Sequence, residues 1–194
     1  LLGVDVLMPS IEAIKNKNIS IKGIVITHAH EDHIGAVPHL WPYLKCPIYT
    51  SPFSAYLLKQ KLIEARVYQE GIIKIIPLKS KFNIGKINLE LINISHSILE
   101  PNAVLISMGN FKIFHTGDWK IDDTSKIGSK IDVKRIDSLG REGVQAIVCD
   151  STNAMVEGKS GSEESVKIGL NKEIKNSKGR VFVTTFASNL ERLL

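Results

Sequence analysis

Short apolar runs rich in Ile, Val and Leu recur along the chain and are separated by longer polar or amphipathic stretches. Continuous β-branched runs are typical of strands that are covered on both faces. Strands that alternate with helical stretches indicate an α/β protein whose sheets are covered by helices. The predicted strands are residues 21–26, 46–50, 72–78, 87–94, 103–108, 111–114, 144–149 and 180–185.

The stretches between these strands contain recognisable helix starts. Ser51 suits the cap position and the proline after it suits the first helical position, so a helix is expected over residues 51–66. Ser162, followed by two glutamates, predicts a second helix that extends to about residue 175. Two further stretches are expected to be partly or fully helical, residues 120–141 and residues 187–190.

Two glycine-containing pairs predict tight turns between strands in the middle of the chain. They are Gly85 with Lys86, and Gly109 with Asn110. Such pairs favour the positive φ angles that two-residue hairpin loops require. We therefore expect antiparallel hairpins in this part of the α/β fold.

Composition and charge narrow the function classes only slightly. With 194 residues, of which 43% are hydrophobic, the chain can bury one ordinary core. The formal net charge of +5 permits a polyanionic partner such as nucleic acid, without requiring one. No apolar run approaches the roughly 20 residues of a membrane span. Residues 1–9 lack the basic leader of a signal peptide, so we predict no membrane association and a cytoplasmic location.

Cys46 and Cys149 are too few for a disulfide framework, and each lies in an apolar run. Both are expected to be buried, reduced thiols. The chain begins with Leu1 and stops at Leu194 inside a predicted helix, so we expect it to be part of a longer protein. A partial fold would expose apolar sheet surface, which invites aggregation or a partner, and we expect a homo-oligomer or a complementing chain.

The densest chemical signal is a group of three histidines and one aspartate directly after the strand at residues 21–26. His28 and His30 alternate along extended backbone and so can point the same way. Asp32 and His33 follow where the chain turns into the next helix. Imidazole nitrogen and carboxylate oxygen are ligands that suit zinc and related divalent ions, so this group predicts a metal site. The alternative is a polar loop that happens to be rich in histidine.

Two further ligand candidates follow apolar strands later in the chain. His96 follows the strand at residues 87–94, and Asp118 follows the strand at residues 111–114. Taken alone, each is weakly informative, because an aspartate at a strand end is more often a turn former or a helix cap. In combination with the first group they indicate a site with two metal ions.

Other polar residues have simpler interpretations. His39 is expected to be a packing or surface histidine, His115 a structural one, and Glu31 a solvent-facing carboxylate. A group of basic residues follows Asp118, and a solvated face is its default interpretation, with contact to RNA as the second choice. This group comprises Lys120, Lys126, Lys130, Lys134 and Arg135.

The order of these motifs resembles the metallo-β-lactamase superfamily: His-x-His-x-Asp-His, a distant His, then Asp within Thr-Gly-Asp. The resemblance implies an αββα sandwich, incomplete here, with two divalent ions at one edge of the sheets. These ions are predicted to be Zn²⁺, with Mn²⁺ or Mg²⁺ as alternatives. The implied ligand sets are His28, His30 and His96 for one ion, Asp32 and His33 for the other, and Asp118 as the bridge. Asp32 and Asp118 are the implied catalytic residues.

Several segments look more specifically like bacterial ribonuclease J, of the β-CASP branch of that superfamily. They are residues 28–38, 96–98, 115–122, 150–154, 161–163 and 180–189. The resemblance implies a partial metallo-β-lactamase domain over residues 1–154 and the beginning of a β-CASP domain over residues 155–194. Asp150 matches the first β-CASP acid, although an aspartate that caps the next turn fits the local sequence equally well.

This resemblance implies a metal-dependent hydrolase of RNA phosphodiesters that acts from the 5′ end, internally, or both. Two other hypotheses stay open at this point. One is a metallo-hydrolase of a small thioester or lactam. The other is an inactive remnant, or the product of a split gene, that needs a second chain.

Overall fold

The computed structural model describes residues 3–4, 6–17, 19–122, 130–158 and 160–186. The chain divides into two compact units, Leu1–Pro77 and Leu78–Leu194. Lys126 and the predicted helix at residues 187–190 lie outside the described residues. Among the helices of the described ranges, none combines the length and the apolar character needed to cross a lipid bilayer.

The first unit contains a three-stranded parallel sheet in the order β1-β2-β3. Its register pairs Ile24 with Ile48, and Ile48 in turn with Ile73. The strands are β1 (Ile24–Val25), β2 (Ile48–Thr50) and β3 (Ile73–Ile75). The helices are α1 (Glu12–Asn16), α2 (Glu31–Ile34), α3 (Val37–Leu44) and α4 (Pro52–Glu64).

Helix α4 forms as its sequence predicts, with Ser51 at the N-cap and Pro52 at the first helical position. The Ser51 hydroxyl donates to the hydroxyl of Ser54. Leu58 and Leu62 are fully buried on the same face of the helix. Each buried leucine contributes about 1.5–3 kcal/mol relative to an exposed one, so α4 is a principal source of the unit's stability.

The second unit contains a five-stranded sheet in the order β4-β5-β6-β7-β8. The pairs from β4 to β7 are antiparallel, and β8 pairs in parallel with β7. The strands are β4 (Lys81–Ile84), β5 (Ile87–Asn93), β6 (Asn102–Met108), β7 (Phe111–His115) and β8 (Ala146–Val148). The helices are α5 (Val133–Glu142) and α6 (Glu163–Asn176). Ser162 caps α6 by accepting from the backbone N–H of Ser165, in line with its sequence signature.

The two predicted turns close hairpins of this sheet. Gly85 and Gly109 adopt positive φ angles of 60° and 59°, which glycine tolerates without steric cost. The first hairpin joins β4 to β5, and the second joins β6 to β7. The sequence pattern missed β4, a short strand of alternating exposed and half-buried residues. The strand predicted at residues 72–78 is β3, which pairs in parallel with β2 instead.

Helix α5 covers one face of the five-stranded sheet. Leu139 of α5 packs into a buried cluster with Ile92 and Ile94 of the β5 segment and with Ala103 and Leu105 of β6. At the margin of this core, the Arg135 guanidinium donates two hydrogen bonds to the Glu90 carboxylate, at 2.8 and 2.9 Å. This bidentate geometry ties the helix to the sheet.

Two predictions for the end of the chain are wrong. Residues 180–186 form no strand in the described structure, and Phe182 is 90% exposed. An apolar run becomes a strand only where a neighbour completes its backbone hydrogen bonds, and no described segment pairs with this one. Cys149 is exposed rather than buried, because it follows β8, an edge strand whose three residues are all exposed. Cys46 is buried as predicted, and burial raises the pKa of its thiol.

Candidate metal centre

The first ligand group lies at the end of the β1 segment. His28 is fully buried, and His30 occupies the N-cap position of α2 with extended backbone angles. The Nε2 atom of His28 lies 3.2 Å from the Nδ1 atom of His30. Two imidazole nitrogens bound to one tetrahedral zinc, each at about 2.0–2.1 Å, are separated by roughly 3.3 Å. The pair therefore fits a single divalent ion.

Thr27 supports His28 from the residue before it. Its hydroxyl oxygen lies 3.0 Å from the Nδ1 atom of His28, and both side chains are buried. When the proton is on Nδ1 and directed at this oxygen, Nε2 is the nitrogen that offers its lone pair to a metal. The sequence analysis did not identify Thr27 as a functional residue. Its place between the apolar strand and the first ligand was the available signal.

Asp32 and His33 are adjacent on the first turn of α2. The Asp32 Oδ2 atom and the His33 Nε2 atom lie 3.6 Å apart, and the Asp32 side chain is 75% exposed. The His33 ring lies 4.0 Å, centroid to centroid, from the ring of His28. This carboxylate–imidazole pair can also hold one ion, and it presents an open carboxylate to solvent.

Gly35 determines how tightly the turn after α2 closes. A Cβ atom at this position would lie 2.5 Å from the backbone oxygen of Glu31. Glu31 faces solvent as predicted, and its carboxylate also forms an ion pair with Lys61 of α4 at 2.6 Å. Because residue 35 is glycine, the chain can turn closely just after the ligand candidates Asp32 and His33.

The second unit contributes a separate ligand pair. The His96 Nε2 atom lies 3.7 Å from the Asp118 Oδ2 atom, and both side chains are partly buried. His96 follows β5 and Asp118 follows β7, strands that are separated in the sheet by β6. This nitrogen–oxygen separation is compatible with two ligands of one ion.

Contacts beside these residues bring the two loops together. The backbone N–H of Lys120 donates to the backbone oxygen of Ser95 at 2.9 Å, and the Ser95 hydroxyl donates to the backbone oxygen of Asp122 at 3.1 Å. The loop that carries His96 is closed by its own bond, from Ile94 N–H to the oxygen of Pro101. The position of His96 beside Asp118 is thus a product of tertiary contacts.

The basic group after Asp118 is not the uniform solvated face that was predicted. Lys120 is largely buried and contacts the carboxylates of Asp122 and Glu163. Arg135 is held by Glu90 and Glu142, and these bonds raise its pKa above the ordinary value. Two acidic partners that are distant in the sequence, Glu163 and Glu90, account for much of the difference. In the described part of the group, Lys130 and Lys134 are exposed.

Asp150 makes the contacts of a turn-capping aspartate. Its Oδ1 atom accepts from the backbone N–H and the hydroxyl of Thr152, and these bonds hold the pKa of the carboxyl below its ordinary value. A backbone hydrogen bond from Trp119 lowers the pKa further. Asp150 therefore also contacts the loop that carries Asp118. Its role as a β-CASP acid stays a prediction.

The two remaining histidines behave as expected from the sequence. The Nδ1 atom of His115 accepts from the backbone N–H of Gly117 at 3.0 Å, which is a structural contact within the turn that leads to Asp118. His39 is exposed on α3. Neither residue makes a contact that would recruit it to a ligand group.

The sequence of this chain is similar to a known family model and to several curated proteins. The family model described as "Beta-lactamase superfamily domain" matches residues 5–137. Ribonuclease J of Sinorhizobium meliloti is 44% identical over 191 residues, which cover 98% of this chain and 34% of the relative. Ribonuclease J of Helicobacter pylori is 37% identical over 194 residues, covering 100% of this chain and 28% of the relative. The chain thus spans about a third of the length of these relatives, and its resemblance to ribonuclease J is confirmed.

A solved structure shares the fold. A protein of unknown function from Enterococcus faecalis V583 superposes with a TM-score of 0.62 at 17% identity, covering 100% of this chain and 54% of that chain. The predicted α/β fold class is confirmed by the two observed sheets and by the family model. Because that model matches most of the sequence, the chain belongs to the β-lactamase superfamily.

Proposed function

We propose that this chain is part of a metal-dependent ribonuclease of the ribonuclease J type, which hydrolyses RNA phosphodiester bonds. The observation that carries the proposal is 44% identity to a ribonuclease J along nearly the whole chain. The formal net charge of +5 suits a polyanionic substrate. We propose 5′-end trimming, internal cutting or both as the mode of cleavage, and the cytoplasm as the compartment.

We propose two divalent ions as the cofactors. The donor pairs of the two units support this, since each has a separation that fits two ligands of one ion. Zinc is preferred because the donors are imidazoles and carboxylates, with Mn²⁺ or Mg²⁺ as alternatives. The assignment follows the family pattern, whose model extends across both units. It gives His28, His30 and His96 to one ion, Asp32 and His33 to the other, and Asp118 to both.

Bound divalent ions would supply Lewis-acid activation of water and neutralise charge on the phosphoryl oxygens. The chain's own residues have more specific tasks. The exposed carboxylate of Asp32 can accept a hydrogen bond from the attacking water and so orient it for in-line attack on phosphorus. The hydroxyl of Thr27 fixes the ring of His28 before any ion binds, which reduces the reorganisation that binding requires.

Residues 155–194 are proposed to belong to a second, β-CASP domain that contacts RNA. The apolar side chains exposed at this end of the second unit support a covering polypeptide, supplied by a longer chain, a complementing chain or a homo-oligomer. Among them Met155 is 94% exposed and Ile147 of β8 is 62% exposed. Burial of such side chains is favourable, so a polypeptide that covers them would stabilise this unit.

The direct test measures metal content and RNA cleavage in the same preparations. Wild-type protein is expected to bind about two equivalents of zinc and to cleave a 5′-labelled RNA. Asp118→Ala should lose cleavage and bind less metal, because one carboxylate ligand is gone. Asp137→Ala, at an exposed position of α5, is the matched control and should retain both properties. A folded wild-type protein that binds no metal, or an Asp118→Ala variant with normal cleavage, would overturn the proposal.

A further inference from the structure

A buried ionic cluster lies directly beside the loop that carries Asp118. The ammonium group of Lys120 contacts the carboxylates of Asp122, at 3.2 Å, and Glu163. The side chains are 16%, 1% and 5% exposed. Charges are costly to remove from water unless they are paired and hydrogen-bonded, so three ionisable groups at this depth form a demanding arrangement.

Asp122 also joins this cluster to the first turn of α6. Its Oδ2 atom accepts from the backbone N–H of Glu163 at 2.9 Å, and the same oxygen is the one that contacts Lys120. Helix N-termini leave their first N–H groups without intrahelical partners and favour nearby negative charge. One carboxylate therefore serves both the lysine and the start of the helix.

The opposite side of the same segment is fixed to the loop that carries His96. The backbone of Lys120 forms an isolated antiparallel bridge with Ser95, the residue before His96. Its N–H donates to the oxygen of Ser95, whose hydroxyl donates to the oxygen of Asp122. Lys120 thus contacts the His96 loop through its backbone and α6 through its side chain.

From this geometry we infer that Lys120 is a positioning residue, which together with Asp122 and Glu163 fastens the first turn of α6 to the Asp118 loop and so holds Asp118 beside His96. The inference rests on the proposed metal-binding function of those two residues. It assigns the cluster a consequence beyond stability. A displacement of α6 would be transmitted through Glu163 and Lys120 to Asp118. Metal affinity should therefore depend on the position of α6.

The test compares Lys120→Met with Lys134→Met, which removes an exposed lysine on α5. Methionine keeps much of the side-chain volume but leaves Asp122 and Glu163 without this cation. We expect at least a tenfold faster hydrogen exchange at the amide of residue 120, and a loss of zinc affinity of about 10-fold or more. The amide of Leu91 in β5, which lies in the same unit and donates to the oxygen of Ser80, serves as an internal reference for general loosening of that unit.

Glu163→Gln provides a second variant that preserves shape and removes one charge. We expect it to weaken zinc binding when introduced alone, and to weaken it less or partly restore it in the Lys120→Met background, because a carboxylate that has lost its contact with the lysine ammonium group is then removed. Such non-additivity indicates direct coupling of the two side chains. If Lys120→Met does not fold, Glu163→Gln alone decides, and wild-type exchange at residue 120 together with wild-type zinc affinity would overturn the inference.

The two proposals fail in different ways. A wild-type protein that binds no zinc contradicts the proposed metal-dependent function. Amide exchange at residue 120 still reports whether the ionic cluster holds the Asp118 loop in place. A purely structural role for Lys120 predicts equal acceleration of hydrogen exchange at residue 120 and at the Leu91 reference. That outcome, or unchanged exchange and zinc affinity in Lys120→Met, contradicts the positioning role.

Discussion

The two units bring their ligand candidates together by different means. In the first unit, His28, His30, Asp32 and His33 are neighbours in sequence, and one strand end followed by one helical turn is sufficient to group them. In the second unit, His96 and Asp118 follow different strands, and a backbone bridge beside them brings their side chains to 3.7 Å. The first group is a product of local backbone geometry, and the second is a product of tertiary structure.

This difference predicts where each group is vulnerable. The first should respond most strongly to changes within a few residues of the ligands, since one strand end and one helical turn group them. The second should respond to distant changes that loosen the sheet, α5 or the ionic contacts of that unit, because interactions in one network are not independent.

The largest effect is expected for Ile92→Ala, in the core of the second unit. Ile92 is almost fully buried in β5, in the cluster that includes Leu139 of α5. Truncation of a buried isoleucine leaves a cavity and should lower the free energy of unfolding by about 2–5 kcal/mol. Chemical denaturation measures this change. Ile147→Ala, at an exposed position of β8, is the control and should change it by less than about 0.5 kcal/mol. Equal losses of unfolding free energy in the two variants would show that Ile92 does not lie in the core of the sheet.

Next in size is Gly35→Ala, a local change in the first unit. The added Cβ would lie 2.5 Å from the backbone oxygen of Glu31, so the turn after α2 must shift at a cost of about 1–3 kcal/mol. Gly140→Ala in α5 is the matched control, because no atom outside the adjacent helix backbone lies within 4 Å of the added carbon there. In a helix interior this control should stabilise the protein by up to about 1 kcal/mol. Thermal unfolding distinguishes the two variants. If both change the unfolding temperature in the same direction, the close contact at Gly35 does not explain the effect.

Thr27→Val should affect metal binding more than folding. Valine has nearly the shape of threonine but cannot accept a hydrogen bond from the His28 ring. Loss of such a supporting contact typically lowers metal affinity by about 10–100-fold. A zinc competition titration with a chromophoric chelator measures this loss, and Thr27→Ser should retain wild-type affinity. If Val and Ser variants bind zinc equally well, the hydroxyl does not orient His28.

The smallest effect concerns acid stability in the second unit. Hydrogen bonds from Lys112, Arg135 and Ser138 lower the pKa of Glu142 from 4.5 to about 2. A lowered folded-state pKa contributes stability that is fully present above pH 4.5 and is lost as the pH falls towards 2. Because Glu142 is partly exposed, solvent screening keeps the contribution modest. Glu142→Gln should therefore be less stable than wild type at pH 6 and nearly equal to it at pH 2, as measured by urea denaturation. A difference that does not change with pH would contradict the role of its charge.

The sequence was most informative where function and fold depend on local pattern. The group at residues 28–33, the Ser51 and Ser162 helix starts and both glycine turns are consequences of adjacent residues, and each could be predicted. By contrast, β4 has too few apolar residues to produce a strand signal. The strand expected at residues 180–185 had the right composition and lacked a neighbour to pair with.

Charged residues were the hardest to interpret. Lys120 and Arg135 were expected to face solvent because their sequence neighbours are polar. Their actual partners, Glu163 and Glu90, are distant in sequence and become visible only when the chain is folded. Burial of a charge is decided by the presence of a counter-charge, so a single sequence offers little basis for predicting it.

The strand β8 has a practical consequence for handling the protein. It is the last strand of its sheet, all three of its residues are exposed, and no described segment covers its outer edge. An uncovered apolar edge recruits strands from other molecules, and this tendency grows with concentration. Ile147→Lys would place a repelling charge on that edge, and we expect it to reduce any concentration-dependent self-association relative to the wild type.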